Sequence, residues 1–196
     1  MKPLFIGCLI VVAVALLVGG CAATFGVAEY NRAKQLDQNV QSQWAQVEVQ
    51  LQRRFDLVPQ LEATVKGAAG QEQKVFLGIA NARKAYFQAD KDDVPAKAAA
   101  ANQFNSALSR LLMLQEQYPQ LKSNEAFMKM QDTIEGTENR LSVERGRYND
   151  AVRELDLFTQ TFPNSFFAQL AAVRPAPYLK PPEAVSEAPK IDFSKP

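Results

Sequence analysis

The sequence contains no histidine, and its two cysteines both lie within the first 21 residues. Histidine is the commonest catalytic base and the commonest transition-metal ligand in proteins. With Cys8 and Cys21 as the only thiols, the rest of the chain can form no disulfide, no thiolate metal site and no cysteine nucleophile. The sequence also lacks a glycine-rich phosphate loop and a nucleophile elbow. We therefore expect no enzymatic activity and no cofactor.

The sequence also lacks an excess of charge of either sign. The 196 residues carry 22 Lys and Arg against 21 Asp and Glu, which leaves a net charge of +1. In the second half of the chain arginines alternate with acids, so no basic face is predicted and nucleic acid is excluded as a partner. Paired carboxylates, which could hold two metal ions on facing helices, are not expected to do so without histidine. These pairs are Glu135 with Glu138 and Glu144 with Asp150.

Residues 4–28 carry no charge and read LFIGCLIVVAVALLVGGCAATFGVA. A run of this length exceeds the ~20 residues needed to cross a bilayer. It fits a transmembrane anchor, but two alternatives remain open. Val18-Gly19-Gly20-Cys21 looks like a lipobox, in which Cys21 is lipidated after cleavage, and an ordinary cleaved secretory signal is the third interpretation. We assign residues 1–28 to a membrane anchor.

The charges that flank this segment bear on its orientation. Lys2 and the α-amino group stand before it, and Arg32 and Lys34 follow it. Counting positive charges therefore gives a near balance. Signal-like anchors leave the N-terminus inside the cell, so we expect the remainder of the chain on the outer, periplasmic side of a bacterial envelope.

A long amphipathic helix is predicted over residues 30–66. Its apolar positions recur every three or four residues and therefore share one side of the helix. Pro59 should kink this helix without ending it, because the apolar positions continue in phase beyond it. Trp44, the only tryptophan, is predicted to lie in the core. The apolar positions are Leu36, Val40, Trp44, Val47, Leu51, Phe55, Val58, Leu61 and Val65.

Three further helices follow, predicted at residues 71–89, from about 94 to 118, and from Ser123, its expected N-cap, to about 162. Val75, Ile79, Ala82 and Tyr86 should be buried in the second helix, with Phe76 and Phe87 widening that side. Four amphipathic helices with short connections predict an all-α, antiparallel up-down four-helix bundle over residues 29–163 with coiled-coil-like packing. Residues 164–196 are predicted as a short helix and a proline-rich tail, which either lies on the bundle as a strap or is disordered.

Two polar clusters interrupt the apolar pattern near the middle of the two long helices. They are either exposed pairs or a polar layer inside the bundle that fixes the register of the helices. If the first and fourth helices are antiparallel with aligned ends, facing residues have numbers that sum to about 192–194. Arg54 then lies opposite Glu138. The proposed layer comprises Arg53, Arg54, Glu138, Asn139 and Arg145.

The same stretches resemble a known family. EVQLQRRFDLVPQLEATVKG (residues 48–67), TENRLSVERGRYNDAVRELD (137–156) and the closing PYLKPPEA and IDF are similar to the LemA family. The resemblance covers nearly the whole chain from Tyr30 onward. It implies an N-terminal membrane anchor and a helical bundle, and it implies no established catalytic activity. The sequence departs from the family at the lipobox-like Gly-Gly-Cys21 and at Phe55, where the family usually has alanine.

We expect a membrane-tethered module that binds or organises other proteins, because the chain has an anchor and a long helical rod and lacks catalytic groups. The alternative is an envelope lipoprotein with a structural role, lipidated at Cys21. The partners we expect are the membrane and one or more proteins, and association of identical copies is also open.

Overall fold

The structure, a computed structural model, describes residues 2–69, 73–118 and 124–180. These residues form α-helices joined by short turns, and no strand occurs among them. The prediction of an all-α protein is confirmed for this part of the chain. The helices are α1 (Lys2–Asp56), α2 (Val58–Ala69), α3 (Gln73–Gln88), α4 (Val94–Gln117), α5 (Glu125–Gln160) and α6 (Asn164–Leu170).

Helix α1 runs through the boundary predicted between residues 28 and 29. Its 55 residues, roughly 80 Å of helix, join the apolar segment to the first amphipathic helix without a break. By length and composition it is long and apolar enough to cross a membrane, a test that a signal sequence also passes, and its most apolar stretch is not buried in the protein. The chain thus carries an exposed apolar helix near its N-terminus.

Pro59 has a stronger effect than the expected kink, because α1 ends at Asp56 and α2 begins at Val58. Proline has no N–H and cannot bond to the carbonyl one turn earlier. The chain adjusts with a tighter turn, in which the Leu57 N–H bonds to the Arg54 carbonyl at 3.2 Å. The apolar side nevertheless stays in phase beyond the break, and it is buried at Val58, Leu61 and Val65.

The chain divides into two compact units. The first comprises Met1–Trp44 and Asp150–Ala176. Its buried side chains come from α1, from the end of α5 and from α6, and the Arg32 guanidinium lies over the Phe158 ring, 5.6 Å from its centroid. Trp44 is 8% exposed, so its predicted burial is confirmed. The buried residues of this unit are Ala33, Leu36, Val40, Trp44, Ala151, Val152, Leu155, Phe158, Ala168 and Ala171.

The second unit comprises Ala45–Asn149 and Pro177–Pro196. Phe55 lies in its core, with ring centroids 4.8 Å from Tyr86 and 4.6 Å from Phe104. Helices α3 and α4 pack against each other. Phe87 does not widen the buried side of α3 as expected but is 51% exposed, because it lies about 100° around the helix from buried Tyr86.

Side chains cap two of these helices. The Asp93 carboxylate accepts a hydrogen bond from the Ala96 N–H at 2.9 Å and so caps α4. At α5 the cap is Asn124, whose side-chain oxygen accepts from the Phe127 N–H at 3.2 Å. Ser123, the predicted cap, lies outside the described residues. Both caps satisfy N–H groups that have no partner within the helix.

After α6 the chain has no regular secondary structure from residue 173 to 180. Within the second unit, the Tyr148 hydroxyl donates to the Pro177 carbonyl at 2.9 Å, and Leu179 is buried at 7% exposure. Up to Lys180 the tail therefore lies on the protein as a strap. The rest of the tail, including Ile191 and Phe193, falls outside the described residues.

Candidate functional site

A polar cluster, formed by Arg54, Asn105, Glu138 and Arg145, lies inside the second unit. The Arg54 guanidinium donates to the Glu138 carboxylate and to the Asn105 side-chain oxygen, the latter at 2.6 Å. An Arg145 nitrogen lies 3.6 Å from the other Glu138 oxygen. Arg54 is 5% exposed, which is rare for a charged side chain. The polar cluster joins α1, α4 and α5 at one level.

Two cations share one carboxylate in this cluster. Burial lowers the pKa of both Arg54 and Arg145, and the Glu138 charge opposes that effect. Arginine still stays protonated, so neither side chain can act as a base. The arrangement can hold helices in register and can orient hydrogen bonds.

Only three of the five residues of the predicted polar layer lie in this cluster. Arg54, Glu138 and Arg145 are brought together, whereas Arg53 and Asn139 are exposed. Each exposed residue is adjacent in sequence to a member of the cluster and therefore lies about 100° around its helix. Asn105 was not recognised from the sequence, although a polar residue directly after buried Phe104 was a usable signal.

A surface groove in the same unit is the second candidate. It encloses about 540 Å³ between α1 and the loop that joins α3 to α4. Val49 and Phe87 line it with apolar surface, at 44% and 51% exposure. Its lining residues are Ala45, Glu48, Val49, Gln52, Tyr86, Phe87, Ala89, Lys91 and Lys97.

Lys97 forms the polar floor of this groove. Its ammonium lies 2.5 Å from a Glu48 oxygen, donates to the Lys91 carbonyl at 3.1 Å, and lies 5.7 Å from the centroid of the Tyr86 ring. Burial, and then the Glu48 charge, raise the pKa of Tyr86. Lys97 was missed from the sequence, although it stands one turn before buried Ala100 and Ala101 on the same side of α4.

This groove is suited to binding. Glu48 keeps 29% of its side chain exposed beside the apolar wall, so a bound segment can meet a carboxylate and an aromatic surface together. The Lys97 ammonium on the floor is paired with the Glu48 carboxylate. Over the described parts of the chain, no group of three or more acidic or cysteine side chains is placed to hold a metal ion.

Cys21, the predicted lipidation residue, is exposed on α1 and forms no disulfide. Its carbonyl accepts a hydrogen bond from the Thr24 hydroxyl at 2.9 Å. The thiol is thus accessible, on a helix whose neighbouring side chains from residue 13 to 20 are also exposed.

Comparison with known proteins gives one family. None of the curated proteins compared with this chain matches it. The model of the LemA family matches residues 43–193, which include the polar cluster, the groove and the strap and exclude the N-terminal apolar segment. Because this match covers most of the chain, the protein belongs to the LemA family.

Proposed function

We propose that this protein is a membrane-anchored helical scaffold that binds another protein, without catalytic activity of its own. The observation that carries the proposal is the apolar stretch of α1 near the N-terminus, which is long and apolar enough to cross a membrane and is not buried in the protein. The second unit carries the groove, whose apolar residues Val49 and Phe87 are exposed.

The groove is the surface to which we assign the protein partner. Aromatic residues beside a fully paired polar floor are typical of binding surfaces. The partner segment would place an apolar side chain between Val49 and Phe87 and a hydrogen-bond donor near Glu48. The proposal does not include nucleic acid as a ligand, since the basic residues alternate with acids.

For the scaffold itself we propose the antiparallel up-down four-helix bundle that the sequence predicts. Packing of α3 on α4 supports it, as do the contacts from Arg54 of α1 to Asn105 of α4 and Glu138 of α5. We further propose that the scaffold lies on the outer side of the cell membrane, as the signal-like character of the apolar segment favours.

Site-specific photocrosslinking in intact cells tests the binding function. A photoreactive amino acid at Phe87 should capture the same protein as one at Val49. Leu77 provides a matched control, because it is 58% exposed on the same helix as Phe87 and does not line the groove. Val49→Glu should then abolish capture from position 87. Equal capture from positions 77 and 87, or capture from neither groove position, would show that the groove is not the binding surface.

The alternative is an envelope lipoprotein lipidated at Cys21, which the exposure of this residue favours. Metabolic labelling with a clickable fatty acid distinguishes the two modes of anchoring. A lipoprotein loses the label in Cys21→Ala and keeps it in Cys8→Ala. A transmembrane anchor gives an unlabelled protein that remains in the membrane fraction.

A further inference from the structure

The short helix α6 lies directly against the apolar segment of α1. The Phe167 and Phe25 ring centroids are 6.1 Å apart and the rings meet edge to face. A Cβ placed on Gly26 would lie 3.3 Å from the Phe167 ring, which is tight, so glycine at position 26 allows the ring to approach. These contacts all fall within the first unit and fasten α6 to α1 at residues 25 and 26.

Another side of α6 is uncovered and strongly apolar. Phe162, in the turn before the helix, is 89% exposed, and Phe166 and Leu170 are 61% and 64% exposed. Their four-residue spacing places Phe166 and Leu170 on one side of the helix. Two phenylalanines and a leucine in contact with water form an apolar patch of the kind that marks an interaction site.

The position of this patch along α1 indicates what covers it. From Leu4 to Phe25 the helix extends roughly 31 Å, which equals the ~30 Å hydrocarbon thickness of a bilayer. If residues 4–28 cross the membrane, Phe25 and Gly26 lie where α1 leaves the hydrocarbon. If Cys21 is lipidated instead, its acyl chains enter the membrane one helical turn from Phe25. Both modes of anchoring bring α6 to the membrane surface.

We propose that α6 is an interfacial helix whose apolar side, Phe166 and Leu170, inserts together with Phe162 of the preceding turn into the lipid at the boundary between headgroups and acyl chains. Amphipathic helices at this boundary bury their apolar side by about 5–10 Å. Helix α6 then forms a second contact with the membrane beside α1, and the Phe167–Gly26 contact holds the two at a defined angle. The inference rests on the proposed membrane anchor.

Quenching by brominated lipids tests this placement with the full chain reconstituted in phosphatidylcholine vesicles. In a Trp44→Phe background, Phe166→Trp and Leu170→Trp each place a single tryptophan on the patch. Lipids brominated at the upper part of the acyl chain should about halve the emission of both variants. Val143→Trp is the control, because Val143 is 53% exposed on α5 and does not belong to the patch. Its emission should not change.

A fourth variant, Phe25→Trp, reports on the anchor alone. Quenching at position 25 without quenching at 166 and 170 overturns the interfacial helix while the anchor stands. No quenching at all three positions overturns both. A blue-shifted emission at 166 and 170 that brominated lipid leaves unchanged means that protein, a second copy or a partner, covers the patch, and this also overturns the proposal. Since both patch positions are already more than half exposed, tryptophan there should not disturb folding.

Discussion

The side-chain amide of Asn149 pairs with the backbone of Leu179 as a neighbouring strand would. Its nitrogen donates to the Leu179 carbonyl and its oxygen accepts from the Leu179 N–H, both at 2.9 Å. Over the described residues no strand lies beside residues 173–180, so their polar backbone groups need other partners. Asn149 and the preceding Tyr148 supply them for three groups, and Leu179 can therefore be buried.

Asn149→Ala should release this strap. The two hydrogen bonds are lost and the Leu179 backbone is left without partners, which costs about 1–3 kcal/mol of unfolding free energy. Chymotrypsin cleavage after Tyr178 measures the release directly, because Tyr178 is already 49% exposed and the bond that follows it is held by the contacts to Leu179. We expect faster cleavage in the variant than in the wild type.

Asn139→Ala is the matched control. It removes the same side chain ten residues earlier on α5, at an exposed position. Cleavage should proceed at the wild-type rate in this control. If Asn149→Ala also cleaves at that rate, the pairing does not hold the strap in solution.

The strap could be predicted from the sequence only in part. Tyr178 and Leu179 within a proline-rich tail left two options open, a docked strap or a disordered tail. An apolar residue indicates that a segment can be buried, but not which groups will receive its backbone. On sequence alone, Asn149 and Asn139 are alike, and only the register of the tail against α5 separates them.

Tyr148 should make stability depend on alkaline pH. Burial raises its pKa to about 12, above the ordinary tyrosine value of 10.0. Between these values the folded protein keeps a proton that the unfolded chain has released, so the free energy of unfolding falls as the pH rises through this window. At ~1.4 kcal/mol per pKa unit, and with a hydroxyl that is only partly buried, the loss should be on the order of 1–2 kcal/mol.

Urea unfolding of the full chain in detergent at several pH values from 8 to 12 measures this loss. Tyr148→Phe should be less stable by ~1 kcal/mol at pH 8, because the bond to Pro177 is gone, and its stability should then decline less steeply. Burial also raises the pKa of Tyr86, so Tyr86→Phe serves as a comparison that retains the contribution of Tyr148. Parallel declines in wild type and Tyr148→Phe would contradict the assignment.

Val14→Arg tests the anchor. Val14 is exposed and lies near the middle of the apolar segment. A charge at the bilayer centre costs ~2.5–3.5 kcal/mol on the insertion scale, so the variant should leave the carbonate-resistant membrane fraction or fail to insert. Val143→Arg, at the same 53% exposure on α5, should stay in that fraction. Unchanged fractionation of Val14→Arg would show that residues 4–28 do not anchor the protein.

Periodicity predicted the helices well, because burial of one side is a property of each helix that its own residues encode. Periodicity was less informative about which residues of different helices contact each other. Lys97 follows the three- and four-residue spacing of α4, yet its burial depends on Glu48 of α1, 49 positions away. Phe87 looks apolar enough for the core but lies beside Tyr86, which takes that place. Which residue fills a given place in the core depends on how the helices pack together, and the sequence of one helix alone does not predict it.

The two polar stretches that interrupt the apolar pattern of the long helices meet in the polar cluster. Arg54 and Glu138 are in contact there, and their residue numbers sum to 192. Removing Glu138 tests whether this contact stabilises the fold. Glu138→Ala leaves the buried Arg54 without its carboxylate and Arg145 without its nearest acid. Breaking a buried pair costs ~3–5 kcal/mol. Because Glu138 is itself 38% exposed, water screens part of the effect and we expect about 3 kcal/mol, measured by urea unfolding.

A double-mutant cycle with Arg54→Met gives the sign of the interaction. Methionine fills much of the same volume without charge, so it relieves the stranded cation. The double variant should therefore be more stable than Glu138→Ala alone, with a coupling energy above ~1 kcal/mol. The parallel cycle with Arg53→Met is the control, since Arg53 is exposed, and its coupling to Glu138 should be near zero. Equal coupling energies in the two cycles would mean that Glu138 interacts only with the net positive charge of α1. Its contact with Arg54 would then contribute nothing specific to the register of the helices.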